Sequence, residues 1–279
     1  MSILLVALGQ MSVEYGNPNR NIAKSLDLIE ESAQRSCDIV TLPECLDIGW
    51  TNPNAYKLAE PIPGRYSEKL CEAASASSIY VIAGLTEKAG DRIYNSAICI
   101  DPDGDIISKY RKINILDIAQ DIYSTGNRLS VIDTSLGKIG INICADNFPN
   151  SLVFGHSLAR MGARIIFSPC AWAVKSDHDN KENPYGSMWI KSYRRLARLY
   201  GTTVAGVSGV GKITRGPWKG RKCIGNSLVI DSSGEVVARG SYGETAEELI
   251  TVTIEVDELG GKGTNIAKMV EEKGYQNPF

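Results

Sequence analysis

The sequence predicts an α/β protein, because strand and helix patterns alternate along the whole chain. Residues 3–42 form a strand–helix–strand unit in which short apolar runs flank a segment of helical periodicity. The same order recurs in residues 138–168. Between these units the apolar runs are joined by tight turns, which predicts hairpins in the same sheet system. The pattern does not distinguish one doubly wound sheet from two packed sheets.

The first half of the chain has one strong helical pattern and one strong turn. Ile22, Leu26 and Ile29 recur at helical spacing. Asp-Pro-Asp-Gly at residues 101–104 is typical of a hairpin turn. The predicted elements are a strand at 3–9, a helix at 21–36, a strand at 39–42, a helix at 66–77, a strand at 79–85 and a hairpin of 93–100 with 105–110.

The second half begins with a hairpin around Leu136-Gly137. Asn183-Pro184 suits the start of a helix, and Gly201 suits the position just after its end. The predicted elements are strands at 129–133 and 138–144, a helix at 148–161, a strand at 163–168, a helix at 183–200, and strands at 202–207, 224–230, 235–239 and 249–256.

No linker interrupts this order, so residues 1–258 are assigned to one domain. Residues 259–279 are glycine-rich at their start and too polar to form core. They are expected to be either a frayed terminus or an arm that packs against a second subunit.

The composition excludes several function classes. The 279 residues carry 30 Lys and Arg against 32 Asp and Glu, a net charge of −2 that argues against nucleic acid as a partner. The longest apolar run, residues 3–8, is too short for a membrane span and lacks a signal-peptide pattern, so no membrane partner is expected. Seven cysteines without CxxC spacing and only two histidines indicate neither a disulfide framework nor a metal site. We therefore expect a soluble cytoplasmic protein.

Three apolar strands each end in a reactive residue, namely Glu44, Lys112 and Cys144. A cysteine between a strand and a helix is exposed by the turn, and nearby backbone N–H groups favour its thiolate. A desolvated glutamate can act as its base, provided that a partner such as Lys112 compensates the buried charge. An arbitrary cysteine is more often a small buried hydrophobe, which is the interpretation for Cys37, Cys71 and Cys99. The alternative for Lys112 is an ordinary basic strand end.

Two further features bear on the site. Residues 37–44 and 163–170 resemble each other, since each is a buried strand that ends in proline and a polar residue. This likeness marks Glu44 and Cys170 as candidate site-lining residues. The histidines offer a rival base for the cysteine: His178 lies in a polar loop, whereas His156 lies on the helix after Cys144 and should not fold back.

Taken together, the three segments resemble the nitrilase, or carbon–nitrogen hydrolase, superfamily, whose members share a Glu-Lys-Cys triad in this order. The resemblance covers residues 3–256. The matching segments are Leu-Pro-Glu at 42–44, Tyr-Arg-Lys at 110–112, Gly-Ile-Asn-Ile-Cys-Ala-Asp at 140–146, Phe-Pro at 148–149, and residues 168–172, 189–200 and 226–234.

The resemblance implies a four-layer α-β-β-α sandwich that pairs into a homodimer, and a reaction that needs no metal or organic cofactor. It implies that Glu44 is the base, Cys144 the nucleophile, and Lys112 with the N–H of Ala145 the oxyanion site. The implied activity is hydrolysis of small amides or N-carbamoyl compounds ahead of nitriles.

The sequence departs from the family pattern in the loop before the cysteine. Many members carry a second glutamate there, and Gln120 is the nearest residue in register, with Asp121 the nearest carboxylate. This departure motivates an alternative, a catalytically weak family member that acts by binding. Ala145 stands where an aromatic residue is common, and Asn150 stands where an acidic one is usual. Candidate substrate-binding residues are Gln120, Ala145, Cys170 and Trp172, with Trp50 as a further pocket wall or core residue.

Overall fold

The computed structural model describes residues 2–256. Its strands are β1 (Ser2–Gln10), β2 (Ile39–Thr41), β3 (Tyr80–Ala89), β4 (Arg92–Ile100), β5 (Ile106–Arg111), β6 (Val131–Thr134), β7 (Gly137–Ile141), β8 (Ile165–Cys170), β9 (Ala173–Val174), β10 (Thr203–Ser208), β11 (Val210–Lys212), β12 (Lys222–Ile224), β13 (Leu228–Ile230), β14 (Val236–Arg239) and β15 (Glu248–Val256). Its helices are α1 (Pro18–Gln34), α2 (Ala55–Leu58), α3 (Arg65–Ser77), α4 (Val153–Arg160) and α5 (Ser187–Tyr200), with 3-10 turns at Asp117–Ala119 and Cys144–Asn147.

These strands form two mixed six-stranded sheets and one small sheet. The first large sheet has the order β15-β1-β2-β3-β4-β5, and the second has the order β14-β13-β10-β8-β7-β6. The small sheet has the order β11-β12-β9. In the first large sheet β1, β2 and β3 are parallel, and in the second β7, β8 and β10 are parallel. The chain therefore builds the parallel centre of each sheet from one of its two similar units.

The two large sheets pack face to face, which is the point that periodicity left open. Alternate residues of a strand point to opposite faces of its sheet. Leu4, Val6 and Leu8 of β1 accordingly pack against the second sheet. Leu5 and Ala7 of the same strand face the helices. Both faces of β1 are apolar because both are covered.

Helices cover the outer face of each sheet. Ile22 of α1 and Leu70 of α3 pack on the first sheet, whereas Leu158 of α4 and Leu196 of α5 pack on the second. The layers are therefore α-β-β-α, and the predicted four-layer sandwich is confirmed.

The helix predicted for residues 183–200 begins later, at Ser187. The side-chain oxygen of Asn180 accepts a hydrogen bond from the N–H of Tyr185 and holds this segment in a loop. Gly186 then turns the chain into the helix at a φ of 111°. Gly201 follows the last helical residue in the left-handed region, as predicted.

The strand predicted for residues 224–230 is two strands, β12 and β13. Gly225 and Asn226, between them, both have left-handed φ values, 61° and 63°. The chain thereby leaves the small sheet and enters the second large sheet. The Gly-Asn-Ser segment at 225–227 separates the apolar residues of the two strands at this corner.

The predicted tail, residues 259–279, lies outside the described residues, so neither proposal for it is tested. Within residues 2–256 no helix combines the length and the apolar character that crossing a membrane requires.

Candidate active site

Glu44 lies in the turn that follows β2. Its backbone N–H donates to the carbonyl of Cys170 in the second sheet, at 3.2 Å. Beside this turn lies Gly84 of β3, where a Cβ atom would be 2.5 Å from the carbonyl oxygen of Pro43 and 2.7 Å from the Cα of Glu44. Glycine is therefore required for the close approach of β3 to this turn. Glu44 itself is 2% exposed.

Lys112 follows directly after β5 and is also 2% exposed. Its Nζ lies 2.6 Å from Oε1 of Glu44, so the two side chains form a buried ion pair. Burial opposes the charge on Lys112, but the nearby Glu44, Cys144 and Asp146 raise the pKa of its ammonium above the ordinary value. The lysine therefore stays charged at the bottom of the site.

Cys144 opens a 3-10 turn at the end of β7 and has a left-handed φ of 44°. The predicted strand of residues 138–144 ends early, at Ile141, because of this turn. The N–H of Cys144 donates to Oγ of Ser168 at 3.0 Å, which ties the turn to β8. An L residue held at such a φ is strained, and strain of this kind is often found at functional sites.

The Cys144 thiol is surrounded by groups that change its acidity. A hydrogen bond with Cys170 raises its pKa most, and burial and the charge of Glu44 raise it further, whereas Lys112 lowers it. The net direction is well above the ordinary value for a cysteine, so the resting group is a thiol. Its conversion to a thiolate requires a base.

Asp146 joins the lysine and cysteine segments, a role that the sequence reading missed. Its Oδ2 accepts from Tyr110 Oη at 2.7 Å and from the N–H of Ile143 at 2.8 Å. Its Oδ1 accepts from the N–H of Asn114 at 2.8 Å. The buried carboxylate therefore holds the turn after Lys112 against the turn that carries Cys144. The sequence did contain a sign of this role, because Asp146 lies in the cysteine motif and a buried aspartate is costly without hydrogen-bond partners.

Ala145 is fully buried and is the second residue of the cysteine turn. An N–H at this position of a helical turn has no acceptor within the turn. The carbonyl of Ala145 is held by the side chain of Asn114 at 2.7 Å. The backbone of Ala145 is thus held in place, and the conformation of the turn, not the Ala145 side chain, determines where its N–H points.

Cys170 ends β8, is fully buried and lies beside Cys144. It lines a cavity of about 10 Å³ together with Glu44 and Trp50. The other lining residues are Val13, Tyr15, Ala171, Gly209, Val210, Gly211 and Cys223. Cys170 and Trp50 therefore share a wall with the glutamate, and Trp50 also belongs to a core cluster.

Trp172 is placed differently from its sequence assignment as a pocket residue. Its indole stacks on Trp189 of α5 with ring centroids 4.9 Å apart, inside the core between α5 and the second sheet. It is absent from the residues that line the cavity beside Glu44. Cys170 and Ala171 line that cavity instead, because β8 ends at Cys170 and the chain then carries Trp172 towards α5.

Gln120 is not brought to the ion pair. It is exposed, and its side chain donates to Asp117 within the same loop at 3.3 Å. The loop buries Ala119 and Tyr123 instead, against Cys45. The register of a loop is not set by periodicity, which is why the sequence misplaced the inward-facing residue.

Neither histidine is among the groups that act on the Cys144 thiol. His178 lies in the loop after β9, with its ring 6.3 Å from that of Tyr242. His156 of α4 bonds Tyr200 through Nδ1 at 2.9 Å. Within residues 2–256, no group of three or more His, Cys, Asp or Glu side chains is arranged to hold a metal ion.

An α-β-β-α sandwich that buries a carboxylate–ammonium pair beside a strained cysteine defines a hydrolase of the nitrilase-like class. The chain belongs to the carbon-nitrogen hydrolase family, whose model matches residues 5–261. It is thus a hydrolase acting on carbon–nitrogen bonds other than peptide bonds.

Individual relatives agree with this assignment. The chain is 31% identical over 266 residues to a protein named nitrilase from Pyrococcus abyssi, covering 93% of both chains. It is 28% identical over 255 residues to the omega-amidase NIT2 of Mus musculus, covering 88% of this chain and 87% of the relative. The solved carbon-nitrogen hydrolase of Helicobacter pylori G27 superposes with a TM-score of 0.80 at 24% identity, covering 91% of this chain and 90% of that one.

An amidase from Nesterenkonia sp. AN1, solved as a variant with acrylamide added to its active-site cysteine, has the same fold. Its TM-score is 0.75 at 16% identity, over 89% of this chain and 92% of the amidase.

Proposed function

We propose that the protein hydrolyses small amides or N-carbamoyl compounds through a thioester on Cys144, releasing ammonia or an amine. One observation carries this proposal: a buried Lys112–Glu44 ion pair of 2.6 Å beside a cysteine in a strained turn. The omega-amidase and amidase names of its relatives support amides as the substrate class.

In the first half of the reaction, Glu44 accepts the proton of the Cys144 thiol. The sulfur forms a bond to the carbonyl carbon, and the carbonyl π electrons move to oxygen. The resulting oxyanion is held by the ammonium of Lys112 and the N–H of Ala145. Glu44 then returns its proton to the nitrogen, the C–N bond breaks, and the amine leaves a thioester on the enzyme.

In the second half, Glu44 removes a proton from water, whose oxygen attacks the thioester carbon. The C–S bond breaks as the oxyanion collapses, and Glu44 gives its proton back to the sulfur of Cys144. One carboxyl group therefore serves as base, acid, base and acid in one turnover, and no electron is gained or lost.

A second candidate, hydrolysis of a nitrile, is favoured by the relative from Pyrococcus abyssi that is named nitrilase. Attack of Cys144 on a C≡N carbon produces a thioimidate instead of a tetrahedral oxyanion. Ammonia is released from either substrate class, so the two candidates are separated by the matched pair propionamide and propionitrile. If propionitrile is turned over faster than propionamide, nitriles rather than amides are the substrate class.

The test of the proposed function is the Cys144→Ala variant in an ammonia-release assay over short aliphatic amides, ω-amides and N-carbamoyl compounds. We expect turnover to fall by at least about 10⁴-fold with the fold intact, because the nucleophile is lost. Cys71→Ala is the matched control, since Cys71 is also partly exposed but lies on α3. Retained hydrolysis in Cys144→Ala would reject the mechanism.

The competing interpretation is that the chain is a catalytically weak family member that acts by binding. It predicts no ammonia release from any panel member and no acyl adduct on Cys144 by intact-mass measurement. An adduct that appears on the wild type and is missing from Cys144→Ala supports the enzyme instead.

We further propose a homodimer in a reducing cytoplasm, as the family resemblance implies. Light scattering of the purified full chain measures the mass of the assembly. A monomer across the working concentration range would contradict the dimer.

A further inference from the structure

The two carboxylate oxygens of Glu44 have different surroundings. Oε1 accepts a hydrogen bond from Nζ of Lys112 at 2.6 Å and a second one from Nδ2 of Asn95 at 2.6 Å. Among the described residues no side chain or N–H donates to Oε2. Glu44 also lines the cavity beside Cys170. One oxygen is therefore saturated with donors, and the other is available.

Asn95 contacts both members of the ion pair. It lies in β4, is fully buried, and its backbone carbonyl accepts the N–H of Lys112 at 2.8 Å. Its side chain donates to Glu44. A single residue of a central strand thus fixes the backbone of the lysine and one oxygen of the glutamate.

The orientation of the Asn95 amide follows from chemistry. A reversed amide would place Oδ1 against Oε1 of Glu44, two acceptors without a proton between them. In the observed orientation Oδ1 is buried and has no partner among residues 2–256. Buried amides in structural roles normally satisfy both ends. Asn95 instead leaves its own carbonyl unpaired while it donates to Glu44.

We propose that Asn95 is a positioning residue that holds Oε1 of Glu44, so that Oε2 carries the proton in every transfer of the reaction. An oxygen that already accepts two short hydrogen bonds from N–H donors is a poor acceptor for a thiol proton. With Oε1 held, the carboxylate cannot rotate, and the same atom faces sulfur, nitrogen and water in turn. This inference rests on the proposed function.

Several other titratable groups face Glu44, and their pKa values determine which of them change charge over the pH range of an assay. Burial raises the pKa of Tyr15 and that of Cys45 well above their ordinary values, and it raises the pKa of Cys223 to about 12. Lys112 stays charged. Near neutral pH none of these four groups changes its charge, whereas the buried carboxyl of Asp47, which acts on Cys45 and whose pKa burial raises to about 7, does. The charged and titratable groups facing Glu44 are Lys112, Cys144, Tyr15, Cys45 and Cys223.

The test replaces the amide by a side chain of similar size without a donor, Asn95→Leu. The matched control is Ser96→Ala, which removes a buried polar group from the next position of β4, on the opposite face, where it bonds Glu87 at 2.7 Å. Two quantities are measured against pH: kcat and KM with propionamide, and the rate of Cys144 alkylation by iodoacetamide, which needs no turnover.

For Asn95→Leu we expect kcat to fall by about 10- to 100-fold with KM within about threefold of wild type. The acid limb of both pH profiles moves to higher pH by about one unit, because a donor that favours the ionised carboxylate is lost. Ser96→Ala shows neither change. Asn95→Asp keeps the shape and can donate only when protonated, so its activity relative to Asn95→Leu rises as the pH falls.

An unchanged acid limb in Asn95→Leu, with any loss of kcat matched by a loss of thermal stability, would overturn the positioning role. If the leucine variant does not fold, the pH dependence of Asn95→Asp decides, and a profile parallel to wild type overturns the role. The proposed function fails separately: a wild type that releases no ammonia, but whose alkylation profile is shifted by Asn95→Leu, refutes the amide substrate and keeps the positioning role.

Discussion

Two buried carboxylates, Glu44 and Glu87, lie on either side of the same two strands and are held very differently. Glu87 accepts four hydrogen bonds, two on each oxygen, at 2.6 to 2.8 Å from Lys109, Arg111 and Ser96. Glu44 accepts two, both on Oε1. Strand alternation produces the contrast, because residues 95 and 96 of β4 point to opposite faces.

Under the proposed function, this difference is the one expected between a structural carboxylate, Glu87, and a reactive one, Glu44. Burial disfavours the charged form of Glu87, but its bonds to Arg111 and Lys109 outweigh this and lower its pKa. Its cations are about one-third exposed, at 31% and 32%, whereas Lys112 is 2% exposed. Both oxygens of Glu87 therefore already accept hydrogen bonds, and neither is available to accept a proton. Glu44 keeps one oxygen available beside a cysteine.

The largest expected effect comes from removing the charge of each carboxylate in turn. Glu44→Gln should lower kcat by about 10⁴-fold, because an amide cannot accept the thiol proton. Glu87→Gln should leave kcat of the folded protein within a few-fold and lower the free energy of unfolding by about 1–2 kcal/mol, since its partners are partly solvated. Steady-state ammonia release and thermal unfolding measure the two quantities. An equal loss of activity in both variants would contradict the assignment of a reactive role to Glu44 and a structural role to Glu87.

The cations provide the next comparison. Lys112→Met should reduce kcat by about 10²- to 10³-fold through loss of oxyanion stabilisation, and it should also destabilise the fold because Glu44 is left buried without its cation. Lys109→Met should change kcat by less than about twofold, since Arg111 still bonds both oxygens of Glu87. Activity is normalised to the folded fraction by circular dichroism. A Lys112→Met enzyme with wild-type kcat would show that the ammonium does not assist the reaction.

The smallest effect is the pH dependence of stability at Glu87. Because its folded pKa lies below the ordinary value of 4.5, its ionised form stabilises the fold fully above that pH. The contribution is lost as the pH falls below 4.5 and through the folded pKa. The difference in Tm between wild type and Glu87→Gln should therefore narrow on acidification below about pH 5. A difference that stays constant down to pH 3 would contradict the lowered pKa.

The order and type of the candidate site residues could be predicted from sequence because each follows an apolar strand. Glu44, Lys112 and Cys144 were identified in this way, and the structure brings them into one cluster in which Glu44 and Lys112 are buried and Cys144 is partly exposed. The partners that complete the cluster were not identified. Asn95 and Asp146 act across 51 and 36 residues of chain, respectively, and nothing local in the sequence encodes such contacts.

The fold, like the site, could be predicted from sequence only in part. Short apolar runs predicted the strands, but a strand with two apolar faces fits either one doubly wound sheet or two packed ones. The late start of α5 and the corner at Gly225 depend on a single side-chain hydrogen bond and on left-handed φ values. Gln120 was misplaced because loop residues lack a period that shows which side faces inward.

The hydrogen bond from the N–H of Glu44 to the carbonyl of Cys170 links the two halves of the chain. Glu44 and Lys112 belong to the first sheet, and Cys144 belongs to the second. Neither sheet alone therefore carries all three residues, even when all of its own strands are paired. Under the proposed function, turnover therefore requires the two sheets to be docked: a partly unfolded state with both sheets intact but separated would retain its secondary structure and lose its activity. An activity assay would then report the docking of the two sheets rather than the formation of their strands.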